Sequence, residues 1–264
     1  MRPCHFQICT KRSEADSPAL ASLRKKLEEN GFIYDELNPD LVLAVGGDGT
    51  LMRVIHEHKL RGRFILINSG HLGFYSDYSL DELDSFTEDI LHKDPFVEPV
   101  PVFSFFINGA EHPFINDVSL QTGNTCFLRL LLNGELLTEA RGNGIVISSP
   151  IGTTGYLTSL GSPVVTAPLD IYQYSLIAPC YNRLYPNPIR KAIIKGKDVL
   201  KVEVLRGPVD VYVDGGKKQF FRGTVYTFQH HRNTTVTFLH LKNKSYTSRL
   251  RENISGLSGG ENES

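Results

Sequence analysis

Several large function classes lose their usual marks in this chain. Its four cysteines, Cys4, Cys9, Cys126 and Cys180, are scattered, with no CxxC and no metal-ligand spacing. A disulfide framework or a zinc site is excluded as an organising feature, and reduced thiols in a cytosolic protein are expected. Charge of one sign is missing too: 28 basic residues stand against 29 acidic ones, for a net charge of −1. A dedicated nucleic-acid binder would carry a basic excess. No apolar run reaches transmembrane length, and the opening MRPCHFQICTKRSE is too polar for a signal peptide. A cytoplasmic protein follows, with neither nucleic acid nor membrane as partner. The nine histidines form no HExxH, and no GxxxxGK[ST] phosphate loop occurs anywhere.

What is present is a 264-residue chain, 41% hydrophobic, enough for one large or two medium domains. The most informative stretch is LVLAVGGDGTLMRVI, residues 41 to 55. Leu41 to Val45 is a continuous apolar run of strand length, as in a buried parallel strand. It stops at Gly46-Gly47-Asp48-Gly49-Thr50, and Leu51, Met52, Val54 and Ile55 resume with helical spacing. Asp48 therefore sits on a strand-to-helix turn built almost entirely of glycine. Such a turn bends sharply, admits a ligand close to the backbone, and presents N–H groups that favour an anion. A carboxylate beside a phosphate cradle suggests a base next to a phosphorylated ligand. The plainer reading is a helix N-cap, but a simple cap needs none of the three glycines. The stretch resembles the GGDGT signature shared by ATP–NAD kinases, diacylglycerol kinases and 6-phosphofructokinases.

The surrounding pattern predicts β-α-β-α-β-α. CHFQIC, residues 4 to 9, reads as a strand. Ser17-Pro18 opens a helix striped by Leu20, Leu23 and Leu27 and ended by Asn30-Gly31. Arg63 to Asn68 is a buried strand, followed by the loop Ser69 to Phe74 and a helix over Ser79 to His92. Ligands in parallel sheets bind beyond the carboxyl ends of the strands, which makes His71 and Phe74 candidate pocket residues. The grammar changes at Pro95, Pro99 and Pro101. Strand-like runs then follow at 102–108, 127–133, 144–149, 199–205, 209–213, 223–228 and 235–241. Asn108-Gly109, Asn133-Gly134 and Asp214-Gly215 are hairpin turns. The expected organisation is an α/β domain over 1–98 (a parallel sheet with flanking helices), a mostly β domain over 99–255, and a disordered tail over 256–264.

Two places in the second half break the β pattern. Asn116-Asp117 stands between apolar residues, with donors and acceptors suited to a ribose diol and a base edge, or else to an Asx turn. Further on, Arg141-Gly142-Asn143-Gly144 leads into a strand that empties into Ile151-Gly152-Thr153-Thr154-Gly155-Tyr156. Hydroxyls, exposed N–H groups and an aromatic face fit a polar planar ligand.

These motifs, in this order and spacing, resemble the bacterial ATP–NAD kinase family, with support from Gly70 to Tyr75 and from Asn182-Arg183-Leu184-Tyr185. The resemblance runs from about residue 40 to 220. It implies transfer of the γ-phosphate of ATP to the 2′-hydroxyl of the adenosine ribose of NAD, giving NADP. It also implies a divalent metal, Mg²⁺ or Mn²⁺, carried mainly by the nucleotide phosphates with no dedicated protein site, and a homotetramer or dimer. Carried over residue by residue, Asp48 is the general base, and Gly46, Gly47 and Gly49 let phosphates approach. Asn116 and Asp117 hold the adenosine part. Thr154, Gly155, Tyr156 and Ser159 line the dinucleotide site, Ala178 and Tyr185 complete it, and Arg141 and Asn143 reach a neighbour's nicotinamide end. The chain departs from the family at Asn143, where Asp is common, at Gly155 for Ala, and at Ile151 for a small hydroxyl. The alternatives are a lipid or sugar kinase with the same first motif, and a non-catalytic NAD(P) sensor.

Overall fold

The apolar periodicities of the first hundred residues become a parallel sheet with helices in a computed structural model, which describes residues 1–11, 17–70, 73–166, 169–180, 187–219 and 224–255. Strand β1 (His5–Thr10) pairs in parallel with β2 (Ile33–Tyr34) on one side and β3 (Leu41–Val45) on the other. β3 pairs with β4 (Arg63–Asn68), and the end of β4 pairs with the short β5 (Tyr78–Ser79). All five residues of β3 are buried, as a central parallel strand requires. Helix α1 (Pro18–Glu29) buries Leu20, Leu23 and Leu27, and α2 (Asp48–Glu57) buries Leu51, Met52, Val54 and Ile55. Ser17 occupies the N-cap of α1 without a side-chain capping bond; Pro18 supplies the start. The helix expected from Ser79 divides in two: a 3-10 turn over Leu80–Glu82, closed by a Ser79/Glu82 capping box, then α3 (Leu83–His92).

The remainder is antiparallel. β6 (Phe96–Ile107) and β7 (Ala110–Phe114) form a hairpin, as do β8 (Asp117–Leu132) and β9 (Glu135–Ser148). After β9 come a 3-10 turn over Ile151–Thr154 and the one-turn helix α4 (Tyr156–Ser159). β10 (Ile171–Ile177) pairs with β9 and with β11 (Lys191–Lys195). β12 (Leu200–Arg206) and β13 (Asp210–Val213) both pair with β8, and β13 turns into β14 (Gly216–Gln219). At each of the three hairpin turns, Asn108-Gly109, Asn133-Gly134 and Asp214-Gly215, both residues have positive φ, for example 51° and 80° at Asn108-Gly109. That is the geometry that matches strand twist in a two-residue hairpin.

β15 (Val225–His240) is one strand where the sequence suggests two. Its polar centre, 229–234, hides the continuity, because backbone pairing needs no apolar side chain. Its first part pairs with β12, while Thr237 and Phe238 pair in parallel with Arg63 and Phe64 of β4. Contacts accordingly divide the chain into Met1–Val100 with everything from Thr235 onward, and Pro101–Thr234. The sequence reading extended the second domain to residue 255; the parallel pairing with β4 brings this segment, including α5 (Tyr246–Leu250), back to the first unit. Each unit has its own core: Phe6, Leu43, Ile65 and Phe86 lie in the first, Phe105, Leu128, Ile147 and Phe228 in the second. All four cysteines are free. Among the described residues no helix is long and apolar enough to cross a membrane. The expected tail, 256–264, lies outside the described residues.

Candidate active site

In the first unit the site is built on the β3–α2 turn. Gly46 has φ +152°, and a Cβ there would fall 2.3 Å from Thr50 Oγ1, so no other residue fits the bend. Gly47 is the N-cap of α2, and Asp48 is its first residue. Among the described residues nothing lies within 4 Å of where a Cβ on Gly49 would be, so the first turn of the helix is open on that side. The Asp48 carboxylate accepts N–H bonds from Phe74 (Oδ2, 3.1 Å) and Tyr75 (Oδ1, 3.3 Å). The two glycine-bearing loops thus meet, as expected from strands that end side by side. Burial raises the Asp48 pKa, against the opposing pull of the two N–H groups and of Arg249. The Phe74 ring itself packs edge-on to Tyr75 and Tyr246, so its backbone is what reaches Asp48. His71 lies outside the described residues.

Four groups that sequence reading missed stand next to this loop. Arg249 Nη1 donates to the Phe74 carbonyl at 3.2 Å, and Nη2 donates to Asp77 Oδ1 at 2.9 Å. His240 lies between them and Glu98, with Nδ1 2.8 Å from Arg249 Nη2 and Nε2 2.9 Å from Glu98 Oε2. Asp77, His240 and Arg249 are 5%, 4% and 7% exposed. His240 Nδ1 also lies 3.3 Å from Asp77 Oδ2; burial lowers the His240 pKa, but the hydrogen bonds to Asp77 and Glu98 outweigh it and raise it. Only a polar residue between aromatics at Asp77 could have hinted at this cluster.

In the second unit the Asn116-Asp117 pair is held by a residue read before only as a turn. The N–H groups of Ile115, Asn116 and Asp117 all donate to the Asp214 carboxylate, at 2.9, 2.7 and 3.0 Å. The hydroxyls of Ser148 and Ser149 take the carbonyls of Asn116 and Ile115, at 3.2 and 2.5 Å. Against this loop packs the 152–155 turn. A Cβ on Gly152 would fall 2.0 Å from the Asn116 carbonyl, and one on Gly155 would fall 3.6 Å from Asp117 Oδ2. Burial, followed by the Asp214 charge, pushes the Asp117 pKa up to about 7. Its carboxyl therefore offers a donor as well as acceptors near neutral pH, where the sequence suggested acceptors alone.

Thr153 is fully buried and structural: its hydroxyl donates to Pro150 O and accepts from the Val165 N–H. Thr154 and Tyr156 are half-buried, and Gly155 and Ser159 are exposed. The β9–β10 register sets Ile177 opposite Gly144, and Cys180 N–H donates to Arg141 O at 2.7 Å, which brings Ala178 beside Arg141 and Asn143. Asn143 Nδ2 donates to the carbonyls of Thr122 and Asn124. An ionised Asp has no hydrogen for either, which gives Asn a physical reason at this position. Tyr185 lies outside the described residues.

Residues 14–95 match the ATP-NAD kinase N-terminal domain, and residues 115–220 match the ATP-NAD kinase C-terminal domain. The chain belongs to the ATP-NAD kinase family. An NAD kinase of Streptococcus pneumoniae (strain 70585) is 30% identical over 241 residues, 86% of this chain and 88% of that one. Another, from strain Hungary19A-6, is 32% identical over 209 residues, 76% of each chain. The fold is that of a yeast NADH kinase solved in complex with NADH (TM-score 0.82, 15% identity, 99% of this chain and 90% of that one). It is also that of an NAD kinase from Archaeoglobus fulgidus solved in complex with ATP (TM-score 0.76, 20% identity, 96% and 100%). The C-terminal match spans Asn116-Asp117 and the 152–156 loop, to which a lipid or sugar kinase assigns no role.

Proposed function

We propose that this chain is an NAD kinase, an ATP-dependent phosphotransferase that converts NAD to NADP by phosphorylating the 2′-hydroxyl of the adenosine ribose. The observation that carries this reading is Asp48: a half-buried carboxylate with a raised pKa, fixed by two backbone N–H groups in the first turn of a helix, beside a Gly49 whose outer side is open among the described residues. Phosphoryl transfer needs alignment and charge stabilisation more than covalent help. A sugar hydroxyl is a weak nucleophile, so the least the protein must supply is a carboxylate within hydrogen-bond reach. Asp48 takes the hydroxyl proton as the oxygen bonds to the γ-phosphorus; the bond from that phosphorus to the β-phosphate bridging oxygen breaks, and ADP leaves. Its raised pKa brings it closer to the working pH, where a general base is most effective.

The second unit serves recognition. Asn116 and the partly protonated Asp117 supply donors and acceptors to the adenosine part, on a backbone that Asp214 has already tied. Thr154, Gly155, Tyr156 and Ser159 line the dinucleotide site. Arg141, Asn143 and Ala178 form the patch that reaches a neighbouring subunit's NAD in a homotetramer. The phosphoryl donor is ATP bound to Mg²⁺ or Mn²⁺, whose ligands are mostly phosphate oxygens and water. Among the described residues no group of three or more His, Cys, Asp or Glu forms a metal cage of its own. The enzyme works in the cytoplasm. The test is NADP formation from NAD⁺, ATP and Mg²⁺ by the purified protein, reported by an NADP-specific dehydrogenase, with Asp48→Asn alongside. Turnover lost in the variant is the expected result. NAD binding without turnover in the unmodified protein would make it a sensor instead.

A further inference from the structure

The segment that returns to the first unit after β15 brings a buried cation to the far side of the loop that holds Asp48. The relevant element is the single peptide plane between Phe74 and Tyr75. Its N–H, on Tyr75, donates to Asp48 Oδ1, and its C=O, on Phe74, accepts from Arg249 Nη1 at 3.2 Å. In a trans peptide these two groups point in opposite directions. Arg249 and Asp48 therefore grip one rigid plate from its two sides. A charged donor on the carbonyl also polarises the plate and strengthens its N–H as a donor.

Arg249 is itself fixed. Asp77 takes its Nη2 with Oδ1 and holds the backbone N–H groups of Leu241 and Lys242 with Oδ2 at 3.0 and 3.3 Å. His240 Nδ1 lies 2.8 Å from the same Nη2 and 3.3 Å from Asp77 Oδ2, and its Nε2 lies 2.9 Å from Glu98 Oε2. A buried ion pair alone is weak grounds for stability, and Asp77 by itself would satisfy the charge of Arg249. Its second arm, reaching the Phe74 carbonyl, is unnecessary for neutralisation and is aimed at the plate that carries Asp48.

We propose that Arg249 is a positioning residue for phosphoryl transfer, setting the Phe74–Tyr75 peptide so that its N–H holds the Asp48 carboxylate in line with the reacting hydroxyl. The proposal rests on Asp48 being the base. It makes the C-terminal segment, beyond both family-model matches, part of the catalytic apparatus.

The experiment compares Arg249→Met, Arg249→Lys and Asp48→Asn in the full chain. It reads kcat and KM against pH, and hydrogen exchange at the Phe74 and Tyr75 amides. In Arg249→Met, kcat falls by about 100-fold, the scale of a misplaced reacting group, with KM for ATP and NAD little changed. The acid limb of the kcat profile moves to higher pH, because the cation that opposes the raised Asp48 pKa is gone, and the two amides exchange faster. The charged groups facing this loop from the packed elements are Asp77, Glu82, Glu98, His240, Lys244, Arg249 and Glu252, so the limb is read against Arg249→Lys. That variant keeps the charge and loses the two-armed geometry: it holds the limb near its original pH and recovers only part of kcat. Native-like kcat and amide protection in Arg249→Met would overturn the proposal. A lower kcat with limb and protection unmoved would do the same, by leaving a structural role only. If Arg249→Met does not fold, Arg249→Lys with unchanged kcat and protection overturns it. Asp48→Asn separates the two readings: full turnover there removes the base, while amide exchange in the Arg249 variants still decides the clamp.

Discussion

Asp48 and Asp117 are both half-buried carboxylates at loops that precede or begin regular structure, and desolvation raises the pKa of both, yet their surroundings differ in sign. Asp48 accepts two backbone N–H groups and feels a guanidinium one peptide away. These interactions favour its ionised form and limit the rise. At Asp117 the loop's N–H groups all go to a neighbour, Asp214, whose negative charge adds to the burial effect. In the first loop the adjoining backbone N–H groups work against the effect of burial; in the second they go to Asp214, whose charge adds to it.

The largest effect expected is at the first of these. Asp48→Asn keeps the shape and removes the proton acceptor, so kcat in the NADP-forming assay should fall by about 10²- to 10⁴-fold, with KM for NAD little changed. A comparable loss in KM alone would make Asp48 a binding group. Next in size is a contrast between two glycine turns. Gly152→Ala drives a methyl group to 2.0 Å from the Asn116 carbonyl, a backbone atom that cannot swing aside. It should cost about 4 kcal/mol or more of stability in urea unfolding, the range reserved for severe overpacking. Gly49→Ala meets no atom of the described residues within 4 Å and should leave stability unchanged while raising KM for ATP, if a phosphate approaches there as proposed. Equal destabilisation by both would mean that the GGDGT turn is packed by the chain itself.

The legible parts of this protein are those with a local physical cause. The β3–α2 turn could be read because an apolar run of strand length ends in glycine, and the hairpins because Asn-Gly and Asp-Gly tolerate positive φ. β10 was not readable: Gln173 and Ser175 interrupt its apolar run, yet both are buried, Gln173 donating to the Pro163 carbonyl. β11 alternates too briefly between charged ends to stand out. Asp214 and Arg249 lay beyond reach for another reason. Asp214 holds backbone groups 97 to 99 residues away, and Arg249 reaches Phe74 and Asp77 across 175 and 172 residues; no local pattern announces such a pairing. The motif residues were visible as chemistry, whereas the groups that orient them appear only once the chain is folded.

The two carboxylates differ most finely in their response to pH. Asp117 has a folded pKa of about 7 against 3.8 unfolded, so between these values the folded state binds the extra proton. Stability contributed by this group is full below about pH 4, declines as the pH rises, and is lost above about 7, opposite in direction to an ordinary ion-paired carboxylate. The ionisation cost amounts to up to about 4 kcal/mol at pH 8. Asp117→Asn carries no such cost. The difference in unfolding free energy between variant and unmodified protein should therefore shift in favour of the variant from pH 4 to 8, by no more than that amount. Taking the difference cancels the other titrating groups, which the two proteins share. A difference that stays flat with pH would mean that Asp117 holds no extra proton in the folded state, and would assign its role in adenosine recognition to acceptors alone.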